Sequence, residues 1–389
     1  ADESTSGYKM RVHSVSLNFR DVMIALGLYP KKDQLLASDC AGVIVAAPSG
    51  STLRPGDRVF GIVPGCLGKD INVEFPEMLV EAPPNLTDEE AAGLPTVYAT
   101  ALLTLRGAQS GDRLLVHAGS GGLGIATVSI AVALGCECLS TASTPTKRSV
   151  LRRMRVAAVG DSRSTAFVDD HGVVDRVINS LTSPGMVSAS LAMLDAAGTF
   201  VEVGKRDIWS HGRVLQDRSD VVHTTVALDY MPPRAIGTLL GELAGMFGRG
   251  QVGSPASVSF ALADVRDALR LYSSASQIGK IVVSPDRMDP KSRSGSGSGC
   301  WLVTGGAGAL GQVSTGYLHS QGVGCAVLLS RSSKDLERSI TSSAAMSIHT
   351  ACDISMAQDW NAVEHAIGIG GREPTGVVHS AGVARDAAP

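Results

Sequence analysis

Glycines cluster twice in this chain with the spacing of a nucleotide-binding turn. The first cluster is His117-Ala118-Gly119-Ser120-Gly121-Gly122-Leu123-Gly124 and the second is Thr304-Gly305-Gly306-Ala307-Gly308-Ala309-Leu310-Gly311. Each follows a short apolar run that reads as a strand and precedes a run that reads as a helix. In that context glycine lets the backbone approach a pyrophosphate, whose charge sits at the amino end of the following helix. Gly119, Gly121, Gly122 and Gly124 are the expected contacts in the first turn, and Gly305, Gly306, Gly308 and Gly311 in the second. Two such turns in 389 residues imply two α/β units and two cofactor sites.

The rest of the chain divides around these turns. From Tyr8 to Pro84 short apolar stretches (Met10–Leu17, Ala41–Ala47, Arg58–Ile62, Met78–Glu81) alternate with turn signals such as Arg54-Pro55-Gly56-Asp57, the pattern of a small twisted β domain. From Thr96 to about Val226 strands at Leu114–Val116, Cys136–Thr141, Arg176–Asn179 and Thr199–Val203 alternate with helices, as in a parallel sheet. A helix over 236–248, a strand over 257–261, a helix over 264–272 and a strand over 280–283 then suggest a return to the first β domain. Pro285 to Gly299, ending in Ser-Gly repeats, reads as a flexible linker. The expected division is 1–95 and 226–284 for the β domain, 96–225 for the nucleotide domain, and 300–389 for the second α/β unit.

Composition excludes several classes. A net charge of −3 does not suit a nucleic-acid binder, and no apolar run approaches the length of a membrane span. The seven cysteines form no C-x-x-C pair and sit in apolar surroundings, so a reduced, cytoplasmic protein is expected. The chain opens at Ala1 without an initiator Met and closes at Pro389 just after a strand-like run, which reads as a piece of a longer protein.

Cofactor choice is legible at the ends of the second strands. An NAD-selective site places a carboxylate there to bond the ribose 2′-hydroxyl. Here the first unit has Ser140-Thr141-Ala142-Ser143, with Lys147 and Arg148 beyond, and the second has Ser330-Arg331. Hydroxyls and cations would hold a 2′-phosphate that an acid would repel, so both sites lean to NADPH. Lys147 and Arg148 read either as cofactor contacts or as a solvated helix start. Arg163 is a further candidate for the 2′-phosphate pocket, Asp353 for the adenine amino group and His379-Ser380-Ala381-Gly382 for the ribose of the second unit.

Leu17-Asn18-Phe19-Arg20-Asp21-Val22-Met23, Gly27-Leu28-Tyr29-Pro30, Gly56-Asp57-Arg58-Val59, the first glycine turn, Asn179-Ser180-Leu181 and Gly198-Thr199-Phe200-Val201-Glu202-Val203-Gly204-Lys205 occur in order. Over residues 8 to 284 this set resembles the enoyl reductase domains of polyketide synthases. The resemblance implies a medium-chain dehydrogenase/reductase fold, an α/β architecture with a GroES-like β domain wrapped around a Rossmann domain. After the linker the chain resembles the first half of a ketoreductase, a second Rossmann domain of the short-chain dehydrogenase type. The Ser, Tyr and Lys that ketoreductase catalysis needs would fall after Pro389, so this second unit is expected not to reduce ketones. The first strands of the reductase also look clipped before Ala1.

What the resemblance implies about chemistry is conjugate reduction: hydride from NADPH to Cβ of an enoyl thioester, then a proton to Cα. Many relatives in the superfamily hold a catalytic zinc, but Ser38-Asp39-Cys40-Ala41-Gly42 has no neighbouring His, so no metal is expected. Tyr29 matches a family tyrosine implicated in protonating Cα, or it anchors a Tyr-Pro turn. Lys205 matches the lysine of a Gly-Lys-x-Asp motif, as proton donor or thioester polariser. Asp229 matches an aspartate proposed to pair with it, with Asp207 as a rival that also reads as a helix cap. Asn18, Arg20 and Asp21 read as active-site floor, or Arg20 and Asp21 as a structural ion pair. The implied partners are an acyl carrier protein with a phosphopantetheine-linked chain, other domains of the same synthase, and a second copy through the parent protein. A fatty acid synthase reductase, a stand-alone quinone or enone reductase, and an inactive nucleotide-binding scaffold are the alternatives.

Overall fold

The computed structural model describes residues 7–29, 34–168, 172–285, 300–320, 323–331, 337–342, 345–352, 363 and 374–379. The chain separates into two compact units, Ala1–Arg287 and Met288–Pro389. The expected linker, from 286 onward, lies outside the described residues.

The first unit opens with β1 (Tyr8–Leu17), α1 (Phe19–Ala25), β2 (Asp39–Ala46), β3 (Arg58–Ile62), β4 (Asp70–Val73) and β5 (Leu79–Glu81). These strands pair antiparallel, β1 with β2 and β4, β2 with β3, and β3 with β5. Met10, Val12 and Val15 of β1 pack with Ile44, Val59 and Val73 in one apolar cluster. The Arg54–Asp57 turn is closed by Asp57, whose Oδ2 accepts the Arg54 amide at 2.6 Å, with Gly56 at φ +98°.

Helices α2 (Asp88–Ala92) and α3 (Pro95–Thr104) lead into a parallel sheet. Its strands are β6 (Arg113–Val116), β7 (Glu137–Ala142), β8 (Ala158–Asp161), β9 (Val174–Asn179), β10 (Leu194–Glu202) and β11 (Val222–Thr225). Their order is β11-β10-β9-β6-β7-β8, with β6 at the centre where the winding reverses. Both faces are covered, so β6 is apolar after Arg113. Leu114 and Val116 face one cluster with α3 and α4 (Gly122–Ala133), while Leu115 faces another with Phe167, Met186 and Phe200. Further helices of the sheet are α5 (Pro145–Arg153), α6 (Met186–Ala192) and α7 (His211–Asp217). β10 begins five residues before the Thr199 expected from sequence, because a register shift with Ala197 at φ +58° lets Leu194 pair separately with Val174. β8 and β11 escaped the sequence reading because neither is a continuous apolar run: Ala-Val-Gly-Asp and Val-His-Thr-Thr.

After α8 (Pro233–Gly248), β12 (Ser257–Ala261) and α9 (Val265–Ser273), the strand β13 (Lys280–Ser284) inserts between β12 and β1. It pairs antiparallel with β1 at Leu17↔Ile281 and parallel with β12. The far half of β1 is therefore buried on both faces, and its inward polar groups are satisfied locally. The Ser16 hydroxyl donates to the Ile281 carbonyl, and the Ser14 and Ser284 hydroxyls meet at 3.2 Å.

The second unit contains β14 (Cys300–Thr304), α10 (Ala309–Ser320), β15 (Cys325–Ser330), β16 (Glu337–Ser342), β17 (Ala345–Ala351) and β18 (Pro374–His379). The sheet order is β16-β17-β15-β14-β18, parallel except for β16.

Candidate active site

The parallel sheet of the first unit sets out the site by register. Val116 aligns with Ser140 and Ile178, Asn179 with Glu202, and Glu202 with Thr225. All the strands therefore end together, and every candidate group of the nucleotide domain leaves this carboxyl edge.

The glycine turn follows β6. His117 beneath it is buried, with one ring nitrogen 3.0 Å from Thr141 Oγ1 and the other 2.7 Å from Ser190 Oγ; burial lowers its pKa to about 3, so it serves as a neutral brace. Ala118 takes φ +50° to start the turn. A Cβ on Gly119 would fall 1.9 Å from Ser140 Oγ, and one on Gly124 would fall 2.4 Å from Gly119 Cα. Those two glycines are demanded by helix–strand packing. Gly122 is crowded by the side chains of Lys280 and Val97, whereas a Cβ on Gly121 would meet nothing nearer than 3.4 Å. Gly121 is thus the position that the protein leaves open, at the N-cap of a twelve-residue helix. The turn is pinned from the return segment by the Gly279 amide, which donates to the Ser120 carbonyl at 2.9 Å.

At the end of β7, Ser143 is half-buried and Thr144 caps α5 by accepting the Lys147 amide. Lys147 is largely buried and its Nζ donates to the Ala275 carbonyl at 2.5 Å. Burial, then the nearby Arg163 charge, pushes its pKa down. Arg163 itself is exposed after β8. Arg148 is engaged by Asp161 at 3.2 Å and by the Ala142 carbonyl.

Four polar side chains converge on the other flank. Lys205, after β10, donates to Asp229 Oδ2 at 3.0 Å, and Asp229 Oδ1 lies 3.6 Å from the Arg20 guanidinium. Arg20 comes from α1 of the β domain and stacks over the Tyr29 ring, 5.2 Å from its centroid. Tyr29 lies within the field of the Asp229 carboxylate. Burial, then the Asp229 charge, holds the phenol above its usual pKa against the opposing pull of Arg20. Glu202 steadies this strand end, accepting from Asn179 Nδ2 at 2.7 Å and from the Gly204 amide at 2.6 Å.

Of the two readings of Arg20 and Asp21, the ion pair between them does not form. Asp21 is buried and accepts the Asn18 and Ala37 amides, the first of them in a capping box that starts α1, while Arg20 turns to Asp229 and Gln34. Successive residues at the start of a helix point apart, so one is buried and the other reaches Asp229. Asp207 is exposed at φ +53°, and the cap of α7 is Ser210.

A buried network escaped the sequence reading altogether. Lys280 Nζ donates to the Leu17 carbonyl at 2.9 Å and to Asn18 Oδ1 at 2.6 Å, with Asp39 Oδ2 at 3.7 Å. Asp39 accepts from Asn18 Nδ2 and from the amide and hydroxyl of Thr96, at the start of α3. A single lysine heading an apolar strand, Lys280-Ile281-Val282-Val283, was the available signal.

In the second unit the turn repeats the same logic. Gly305 takes φ +69°, and a Cβ on Gly306 or Gly311 would collide at 2.5 and 2.4 Å, while Gly308 is bounded only by the Gly305 carbonyl at 3.3 Å. Ser330 ends β15, Arg331 is exposed just beyond, and His379 aligns with Thr304. Asp353 and residues 380–382 lie outside the described residues.

Two family models match: "Zinc-binding dehydrogenase" over residues 155–283 and "KR domain" over 299–388. Across 397 residues the chain is 34% identical to the spectinabilin polyketide synthase system protein NorB of Streptomyces orinoci, covering 97% of this chain and 18% of that protein. It is 33% identical to the CurK enoyl reductase structure, with a TM-score of 0.67 over 71% of this chain and 90% of that one. The chain belongs to the enoyl reductases of polyketide synthases. Behind the reductase it carries a ketoreductase segment. At 23% identity, the Escherichia coli quinone oxidoreductase complexed with NADPH shares the fold, with a TM-score of 0.64 over 73% of this chain and 93% of that one. The chain spans well under a quarter of the curated synthases it matches.

The donor set of this reductase does not fit the zinc of the family description. Both carboxylate oxygens of Asp39 are engaged, an ammonium stands 3.7 Å away, and burial pushes the neighbouring Cys66 thiol well above its usual pKa. Among the described residues no three His, Cys, Asp or Glu side chains gather as a metal site, and no helix is long and apolar enough to cross a membrane.

Proposed function

We propose that the first unit reduces the Cα–Cβ double bond of an enoyl thioester held on an acyl carrier protein, with NADPH as reductant. When bound, the cofactor supplies the hydride that adds to Cβ. The observation that carries the reading is the meeting of Tyr29 and Arg20, from the β domain, with Lys205 and Asp229, from the carboxyl edge of the parallel sheet. Gly121 and the open start of α4 would receive the pyrophosphate. Ser143, Arg163 and Lys147 would receive the 2′-phosphate, with Lys147 released from the Ala275 carbonyl. Ser330 and Arg331 would play the same part in the second unit.

Two cations flank one carboxylate, so the cluster presents a net positive field to the oxygen where charge develops as Cβ takes the hydride. Lys205 stabilises that enolate oxygen. Tyr29, protonated at neutral pH, gives its proton to Cα and regains one from water. Asp229 holds both donors in place. The division proposed for the chain is the one set out from sequence, with 226–284 completing the β domain. Other synthase domains and a second copy of the parent protein are the proposed neighbours, in the cytoplasm.

Incubating the whole chain with a crotonyl thioester of pantetheine tests the reading. NADPH should be consumed one-for-one with saturated thioester, and NADH much more slowly. Quinone reduction without thioester turnover would replace it with the stand-alone reductase reading.

A further inference from the structure

Lys280 has no access to solvent, and its four methylenes run from the glycine turn to the foot of α1. Its backbone starts β13 directly after Gly279, which is bonded to Ser120 of the turn. Its stem presses on Gly122, where a Cβ would come within 2.7 Å of Lys280 Cδ. Its ammonium ends on Leu17 and Asn18, and Asn18 is the N-cap of the helix that carries Arg20 and leads to Tyr29. Through Asp39 the same network reaches Thr96, and α3 packs on α4.

The second glycine turn isolates the reason for Gly122. Its corresponding position is Ala309, so the spacing of the turn does not by itself require glycine there. Gly122 is glycine because Lys280 occupies the space. Nor is stability a sufficient reason for the charge, because apolar replacement of a buried ion pair is often neutral or stabilising.

We propose that Lys280 is a positioning residue, a spacer that sets the separation between the turn holding the reductant and the helix presenting Arg20 and Tyr29. The proposal rests on the reductase reading above. It places the reacting carbon between two walls whose distance is held by one side chain, where misplacement of about 1 Å costs up to ~100-fold in rate.

Two variants of the whole chain test it: Lys280→Met, which cuts the anchor to Leu17 and Asn18, and Gly122→Ala, which displaces the stem and leaves the charges intact. Each should lower kcat with the crotonyl thioester by ~10- to 100-fold. The primary isotope effect with 4-deuterated NADPH should rise in both, and in Lys280→Met the NADPH Kd should stay within about threefold. The double variant should be little worse than the poorer single one, because both disturb one distance. Wild-type kcat and isotope effect in a folded Lys280→Met protein would overturn the proposal, as would a rate loss matched by an equal loss of NADPH affinity. If Lys280→Met does not fold, Gly122→Ala decides alone, and an unchanged isotope effect there overturns the proposal. Failure of the reductase reading is separate, since it appears as absent thioester turnover in the wild-type chain.

Discussion

Tyr29 shows how the protonation of a side chain depends on a neighbour remote in sequence. In isolation it is a phenol in a Leu-Tyr-Pro turn. In the fold, burial and the Asp229 carboxylate disfavour its phenolate, while Arg20 across its ring face partly offsets them. A proton donor works below its own pKa, so activity that depends on Tyr29 is present at neutral pH and is lost as pH rises through the raised value. Replacing Asp229 with Asn removes one of the raising charges, and the phenol should then ionise at lower pH. Titrating phenolate absorbance in Asp229→Asn against the parent, with Tyr29→Phe as the blank, measures this. The alkaline limb of kcat should move down in parallel, and a limb that stays put would separate Tyr29 from the proton step.

At the scale of elements, α3 and α8 join the two halves of the first unit. Ile236, Leu239, Leu240, Leu243 and Phe247 recur along one face of α8, the spacing of a helix with a single buried stripe. Tyr98 of α3 meets Phe247 edge-on, with ring centroids 5.0 Å apart, and its hydroxyl donates to the Gly253 carbonyl at 2.6 Å. Tyr98→Phe keeps the ring and leaves that carbonyl short of a donor, so unfolding should become easier by about 1–2 kcal/mol. Denaturant melts of the two proteins check the figure, and catalysis should survive the change. The short helix α2 is held in a different way. Asp88 in its first turn bonds both His13 and Arg58, and these partners outweigh burial to depress its carboxyl pKa. That contribution is complete above the ordinary carboxylate range and fades as pH falls through the lowered value.

At the scale of the molecule, the return segment closes the design. β13 fills the place between β1 and β12, and it brings Gly279 and Lys280 to the glycine turn. Deleting residues 257–284 should leave β1 with an unpaired edge and Asp39 buried beside no cation, and the shortened chain should fail to give a folded, monodisperse protein. Size-exclusion chromatography with circular dichroism would show it, and a folded truncation would mean that the β domain closes without its last two strands. Period and punctuation made most of the fold legible: apolar runs flanked by glycine gave the central strands, and helical stripes gave the long helices. Short polar strands such as β8 and β11 were not legible, because sheet pairing rather than burial defines them. Of the candidate site, the glycine turns were legible as local motifs, while Tyr29, Lys205 and Asp229 were singled out by the resemblance to polyketide synthase enoyl reductases. Motifs cannot show that Arg20 would leave Asp21 for Asp229, or that Lys147 would turn to Ala275, because those partners are chosen by tertiary packing. Lys280 is the extreme case, since the acceptors of its ammonium, Leu17 and Asn18, lie more than 260 residues away along the chain and no local pattern marks them. The sequence by itself determined the two glycine turns, the class of fold and the groups available for proton and charge transfer. Only the tertiary structure decided which of those groups meet, because hydrogen bonds and ion pairs a few ångströms long depend on elements that chain order does not place side by side.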